Sequence, residues 1–144
     1  MTPTMSMTQA ANDLVEQFDF LPSWEDRYAH IISFGKTLAP FPEDHRTDTF
    51  KVKGCQSQVW LYPSLQDGRI HFAADSDASI VKGIIAMLLF VYNDRTADEI
   101  LGMKPDFIER IGLTQALSAN RANGLASMLK QIQLYALALS RRNA

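Results

Sequence analysis

Two helices are predicted in the first forty residues, because apolar side chains recur there every three to four positions. The first helix follows Thr8, and the second follows Pro22, where the hydroxyl of Ser23 can accept a hydrogen bond from a free amide of the first turn. Pro40 and Pro42 end the second helix, since proline has no amide hydrogen to donate. The apolar positions of these two helices are Leu14, Val15, Phe18, Trp24, Tyr28, Ile31, Ile32 and Leu38.

The apolar repeat then shortens to every second residue, as in half-buried strands. Residues 50–53, 59–62 and 69–75 each alternate in this way. Asp67 and Gly68 separate the last two runs, and Asp-Gly between alternating runs predicts a tight hairpin. We therefore predict three antiparallel strands.

Helices return after Ser79. Residues 80–91 are apolar on nearly all sides, which predicts a central helix that lies across the sheet and is covered elsewhere. Residues 96–99 form a capping box that opens a short helix, and residues 105–110 predict another. A long last helix follows Asn120 and carries one apolar stripe.

The order of these elements predicts a single α+β domain over residues 1–144, in which a three-stranded antiparallel sheet packs against several helices. Residues 1–8 carry no apolar repeat, and we expect them to form a flexible tail. No internal repeat, low-complexity segment or interdomain linker interrupts the pattern.

Composition and charge exclude several classes of function. The net charge is −2 and the basic residues are scattered, so no nucleic-acid surface is expected. The longest apolar run, residues 84–92, is far shorter than the roughly 20 residues that cross a bilayer, so no membrane contact is expected. One cysteine excludes an internal disulfide, and the sequence contains no zinc-type ligand spacing, which favours the cytoplasm and predicts no bound metal.

Cys55, the single cysteine, is the strongest candidate for chemistry. It follows Gly54 and precedes Gln56, Ser57 and Gln58, so its thiol is displayed on a short polar loop between the first two predicted strands. An iron–sulfur scaffold needs about four cluster ligands, which one cysteine cannot supply. A thiol-dependent hydrolase or transferase needs a histidine base within hydrogen-bond reach. A covalent carrier needs only the thiol, a protected loop and a docking surface.

The three histidines leave the last two alternatives open. His45 lies in the connection over residues 42–47 and is the one best able to approach Cys55 as a base, whereas His30 is expected on a helix and His71 on a strand. None of them lies in a recognisable catalytic motif. A third alternative is a binding module in which Cys55 only packs.

Four motifs follow one another between Trp24 and about Met128. They are Trp24-Glu-Asp-Arg-Tyr28, Val52-Lys-Gly-Cys-Gln-Ser-Gln-Val-Trp-Leu61, Asp75-Ser-Asp-Ala78 with Ile80-Val-Lys-Gly-Ile-Ile-Ala86, and Arg121-Ala-Asn-Gly-Leu125. These motifs resemble, in order, those of the SufE/CsdE family of sulfur acceptors. The cysteine motif alone is long enough to be specific.

The resemblance implies a fold similar to the IscU-like iron–sulfur scaffold proteins, without their cluster ligands. It also implies that Cys55 takes persulfide sulfur from a cysteine desulfurase of the SufS/CsdA type, stimulates that enzyme, and passes the sulfur to a SufBCD-type assembly scaffold. The pyridoxal phosphate belongs to the desulfurase, so this chain is expected to bind no cofactor and to be a carrier, not an enzyme. A monomer or a loose homodimer would leave the loop free to dock.

The resemblance also suggests roles for residues outside the loop. Arg121 matches the arginine of the family's Arg-x-x-Gly-Leu motif; it could pair with Glu109, Asp75 or a partner carboxylate, hold the cysteine loop, or be an ordinary surface arginine. We expect the loop to fold its sulfur toward an apolar wall formed by Val59, Trp60 and the central helix, and to swing outward on docking.

Overall fold

A computed structural model describes residues 5–142, with side chains through Ser140, and it confirms the α+β class. Of the tail expected over residues 1–8, residues 1–4 lie outside the described part, whereas Met7 and Thr8 already belong to the first helix because Ser6 caps it. The elements are, in order, α1 (Met7–Asp19), α2 (Trp24–Gly35), β1 (Val59–Gln66), β2 (Arg69–Ser76), α3 (Ser79–Tyr92), α4 (Ala97–Gly102), α5 (Asp106–Ile111), α6 (Leu113–Ala116) and α7 (Ala119–Arg142).

The sheet of the described residues contains two strands, so the prediction of a third is wrong. β1 and β2 form an antiparallel hairpin in which Trp60 lies opposite Asp75 and Val59 opposite Ser76. Its turn is the predicted one: Asp67 has a φ of 53° and Gly68 a φ of 78°, as the tight two-residue turn requires.

The segment predicted as a third strand stays beside β1 for only two residues. Asp48–Phe50 form a 3₁₀ turn, Lys51 makes an isolated bridge to Trp60, and the Val52 amide donates to the Val59 carbonyl at 2.8 Å. The chain then turns away at Gly54, whose φ is +90°. The alternating pattern over residues 50–53 therefore arises because Val52 is buried. The pairing with β1 is too short to make a strand.

The core is built around α3, which lies against β2 on one side and against α1, α2 and α7 on others. Its buried residues surround the helix, as the all-round apolar pattern predicted. The closest approach is to α2, where a Cβ on Gly83 would collide with the carbonyl of Ile31. A side chain larger than hydrogen would therefore separate α2 from α3.

The last helix carries the cysteine loop on its first turns. The sequence predicts its start after Asn120, but it begins at Ala119 because the Ser118 hydroxyl accepts a hydrogen bond from the Arg121 amide at 3.3 Å. Its buried stripe then faces the core through Leu125, Met128, Ile132 and Ala136. Among residues 5–142, no helix is both long enough and apolar enough to cross a bilayer.

Candidate functional site

The Cys55 loop is tied down at both ends. On one side the Val52 amide binds the Val59 carbonyl, which continues the edge of β1. On the other side the Gln58 amide donates to Asp77 Oδ1 at 3.0 Å, and the Asp77 amide returns a bond to the Gln58 carbonyl at 3.3 Å. Between these anchors lie the five residues 53–57, which include Cys55.

The loop backbone lies directly on α7. Gly54 has a φ of +90°, which L side chains rarely adopt, and a Cβ there would lie 2.5 Å from Ser127 Oγ. The glycine that sequence placed before the cysteine therefore serves two purposes at once. It provides the turn, and it lets the loop approach the helix closely.

The Cys55 thiol points inward and is half-buried. It donates to the carbonyl of Gly124 on α7 with a sulfur–oxygen distance of 3.6 Å, which is a weak bond that only the protonated sulfur can make. Burial raises the pKa of Cys55 above its ordinary value. With the loop in this position the sulfur is a protonated thiol at neutral pH and therefore a poor nucleophile.

A cavity of about 300 Å³ opens beside this sulfur. Val81 and Ile84 of α3 and Met128 of α7 form its apolar wall. The prediction that the central helix forms part of the apolar wall is confirmed. Val59 and Trp60, which were also predicted there, do not line the cavity, and Met128 of α7 completes the wall instead. The remaining lining residues are Cys55, Gln56, Ser57 and Gly124, with the polar or charged Ser118, Asn120 and Arg121.

Of the two aspartates near the start of α3, Asp75 does not hold the loop. Its carboxylate binds Arg46 at 2.8 Å and Lys82 at 3.4 Å. Burial opposes its ionisation, but the bonds from Arg46, the Ser76 amide and Lys82 keep the pKa of Asp75 below its ordinary value. The Arg46 guanidinium lies 4.8 Å from the centre of the Trp60 ring, so this cluster fastens the residues before the loop onto the outer face of β1.

Arg121 lies on the rim of the cavity and is exposed. Within the described residues it forms no ion pair with either predicted carboxylate, because Asp75 is occupied by Arg46 and Lys82 and Glu109 lies exposed on α5 beside a separate depression. The structure therefore brings Arg121 to the site of Cys55 and leaves Asp75 and Glu109 outside it.

From sequence, Asp77 and Asp75 either tune the loop electrostatically or serve only as structural acids at the start of a helix, and Gly124 has no assigned role. Asp77 binds the loop amide, and Gly124 receives the thiol hydrogen bond. Gly124 could have been found from its pattern, because a glycine within the apolar stripe of a helix often marks a close approach of another chain segment.

None of the three histidines lines the cavity. His45 stacks on Tyr62 with ring centres 3.8 Å apart, His71 bonds Asp94 at 2.8 Å, and His30 bonds Gln17 at 2.8 Å. A histidine base for Cys55 is therefore not in place in this arrangement of the loop. In the described part of the chain, no three His, Cys, Asp or Glu residues are grouped closely enough to hold a metal ion.

Trp60 and Tyr62 belong to a second packed layer. Trp60 is 8% exposed and lies beneath Arg46 and Lys51, while Tyr62 contacts Phe50 and the His45 ring. The connection over residues 41–52 thus covers this face of the sheet.

Comparison with known proteins gives a consistent result over most of the chain. The family model described as "SufE: Fe-S metabolism associated domain" matches residues 12–136. An uncharacterized SufE-like protein of Rhizobium meliloti (strain 1021) is 41% identical over 127 residues, covering 85% of this chain and 91% of its own. A second, from Synechocystis sp., is 39% identical over 125 residues, covering 87% and 79% respectively.

A solved structure shares the fold. It is the solution structure of a hypothetical protein from Thermus thermophilus, with a TM-score of 0.75, 20% identity, and coverage of 96% of this chain and 97% of the other. The family match extends over both the cysteine loop and the α7 residues that hold it. The chain belongs to the SufE family, whose domain is associated with iron–sulfur metabolism.

Proposed function

We propose that this protein is a sulfur carrier in which Cys55 accepts persulfide sulfur from a pyridoxal-phosphate cysteine desulfurase of the SufS/CsdA type. It then delivers the sulfur to an iron–sulfur assembly scaffold of the SufBCD type. The observation that carries this proposal is the position of the thiol, half-buried and beside a cavity much larger than one further atom. Family membership supports the same role.

The transfer step exchanges one sulfur–sulfur bond for another. The Cys55 thiolate attacks the outer sulfur of the desulfurase persulfide; a new bond forms between the two sulfurs, and the desulfurase cysteine leaves as a thiolate. Cys55–S⁻ and R–S–SH thus become Cys55–S–SH and R–S⁻, with no net oxidation. Delivery repeats the exchange with a thiol of the acceptor.

We infer that the loop changes position during transfer, because the resting thiol is half-buried and bonded to Gly124 and its pKa is raised. A protonated thiol that is bonded to Gly124 reacts slowly, so we expect docking to bring the sulfur to a more polar environment in which more of it is ionised. The segment between the two anchors, residues 53–57, supplies that movement, with Gly54 as its most permissive backbone position. Retraction then returns the loaded sulfur to the apolar wall, away from reductants in solution.

In this proposal the chain itself binds no cofactor, and it raises the turnover rate of the desulfurase. Removing sulfur from the desulfurase frees that enzyme for a further cycle, so the carrier stimulates turnover without performing the carbon–sulfur chemistry. Pyridoxal phosphate remains on the partner. A cavity that holds one thiol beside an apolar wall, and that no histidine lines, agrees with a carrier better than with a hydrolase.

The test is the rate at which a SufS/CsdA-type desulfurase makes alanine from cysteine with and without this protein. We expect the rate to rise severalfold with the parent chain and to stay at the basal value with Cys55→Ser, which keeps the loop and replaces the sulfur. Equal stimulation by the parent and by Cys55→Ser would contradict the proposal.

A further inference from the structure

We propose that Gly124 is a positioning residue for the sulfur carried by Cys55, because its missing side chain leaves the space that the second sulfur atom occupies. This inference rests on the proposed function, since it concerns the loaded form of the same cysteine.

Gly124 lies in the interior of a helix, where glycine is unfavourable by about 1 kcal/mol relative to alanine. It is buried, and its backbone φ is not left-handed, so neither exposure nor backbone conformation requires glycine at this position. A Cβ placed on it would lie 3.4 Å from Cys55 Sγ and 3.9 Å from Cys55 Cβ. Those are ordinary contact distances, so the unloaded thiol can tolerate an alanine there.

A persulfide on Cys55 needs more space than the thiol does. The second sulfur replaces the thiol hydrogen at about 2.05 Å from Sγ, so it cannot stay on the line to the Gly124 carbonyl, where it would lie roughly 1.5 Å from the oxygen. It must turn from the carbonyl into the cavity, and the open Cα face of Gly124 borders the cavity next to Sγ. A methyl group on that face would occupy the space that the second sulfur needs.

An alanine at position 124 should therefore affect the unloaded and the persulfide-loaded protein differently. With alanine at position 124 the unloaded loop keeps its position on α7, whereas the loaded sulfur is pushed toward the mouth of the cavity, where Ser118, Asn120 and Arg121 meet solvent. An alanine should therefore leave the fold and the thiol largely unchanged and shorten the lifetime of the persulfide.

The experiment compares the parent, Gly124→Ala and Gly102→Ala. Gly102 ends α4 with nothing within 4 Å of its built Cβ, so it controls for the general effect of the substitution. Each protein is loaded with inorganic polysulfide: the Cys55 thiolate attacks a terminal sulfur, and the polysulfide leaves as an anion one sulfur shorter. Excess reagent is then removed and cyanide is added, which takes the outer sulfur as thiocyanate and restores the thiolate.

We expect thiocyanate release from loaded Gly124→Ala to be at least fivefold faster than from the parent and from Gly102→Ala. The rate of iodoacetamide alkylation of the unloaded thiol should differ by less than twofold among the three, and thermal melting should show all three folded. Equal thiocyanate rates would overturn the inference, as would an alkylation rate that changes in parallel with them. Because polysulfide does the loading, failure here is distinct from failure of transfer from the desulfurase, which would count against the proposed function.

Discussion

The Gln58 amide and the Asp77 carboxylate lie 3.0 Å apart, and this bond fastens the end of the cysteine loop to the start of α3. The hairpin register explains why Asp77 makes the bond. Val59 lies opposite Ser76, so the residue before Val59 meets the residue after Ser76.

Removing this anchor should loosen the loop without unfolding the protein. In Asp77→Ala the Gln58 amide loses its side-chain acceptor, so we expect amide hydrogen exchange over residues 53–58 to be at least fivefold faster. Asp98→Ala, which removes an exposed carboxylate from α4, is the matched control and should leave this exchange unchanged. Unchanged exchange in Asp77→Ala would show that the anchor does not restrain the loop.

The reactivity of Cys55 should report its burial. Because burial raises the pKa of the thiol, the thiolate fraction at pH 7–8 is smaller than in free cysteine, whose pKa is about 8.5. We expect the iodoacetamide rate to rise with pH and to reach its midpoint above that of a peptide with the sequence of residues 52–59. A midpoint at or below that of the peptide would contradict the inward position of the thiol.

The Arg46–Asp75 cluster should stabilise the fold in a pH-dependent manner. The pKa of Asp75 is lowered in the folded state, so its contribution is fully present above the unfolded pKa near 3.9 and is lost as the pH falls through the lower folded value. We expect Asp75→Asn to lower the free energy of unfolding at pH 7 by about 1–2 kcal/mol and to have a much smaller effect near pH 2.

The control for that measurement is Glu43→Gln. Glu43 binds the same arginine at 3.0 Å, but its side chain is 77% exposed, so we expect little change in stability at any pH. Urea unfolding of both variants at several pH values checks the comparison. An effect of Asp75→Asn that persists undiminished at pH 2 would show that it does not come from the ionised carboxylate.

Replacing Gly54 should destabilise the fold in two ways, through backbone strain and through a close contact with α7, and suitable variants separate the two. Gly54→Ala places a side chain at positive φ and against Ser127, whereas Gly68→Ala, at a φ of +78° in the hairpin, has open space around it. We expect each to lose about 1–2 kcal/mol from backbone strain, with a further loss in Gly54→Ala from the contact. Chemical denaturation measures both. Adding Ser127→Ala to Gly54→Ala removes the hydroxyl that the new Cβ would meet and should recover the contact part only, and equal losses in the two single variants would contradict close packing of the loop on α7.

Much of the fold could be predicted because its signals are local. The hairpin turn at Asp67-Gly68, the capping box at Thr96 and the all-round apolar pattern of α3 each depend on residues that are close in sequence. The third strand could not be excluded in this way. One bridge from Lys51 to Trp60 gives the same alternation as the beginning of a ladder, and the turn at Gly54 ends it.

The reactive thiol of the site could be predicted from sequence, but most of the contacts that hold it could not. Cys55 stands out because it is the only cysteine of the sequence and lies in a polar loop. Its neighbour Gly54 has the backbone conformation that the turn requires. The predicted two-residue turn fixes the register across the hairpin and brings Asp77, not Asp75, next to Gln58, but the hydrogen bond itself forms beyond the ends of the strands, where the pattern predicts no contact. The Gly124 contact joins residues 69 positions apart and depends on how α7 packs.

The most direct test of sulfur transfer is the intact mass of the protein after incubation with a SufS/CsdA-type desulfurase and cysteine. We predict a gain of one sulfur atom, located on Cys55 by peptide mapping, removed by reductant and absent from Cys55→Ser. No gain in mass, with a desulfurase that is shown to turn over and a Cys55 thiol that alkylates, would contradict the account.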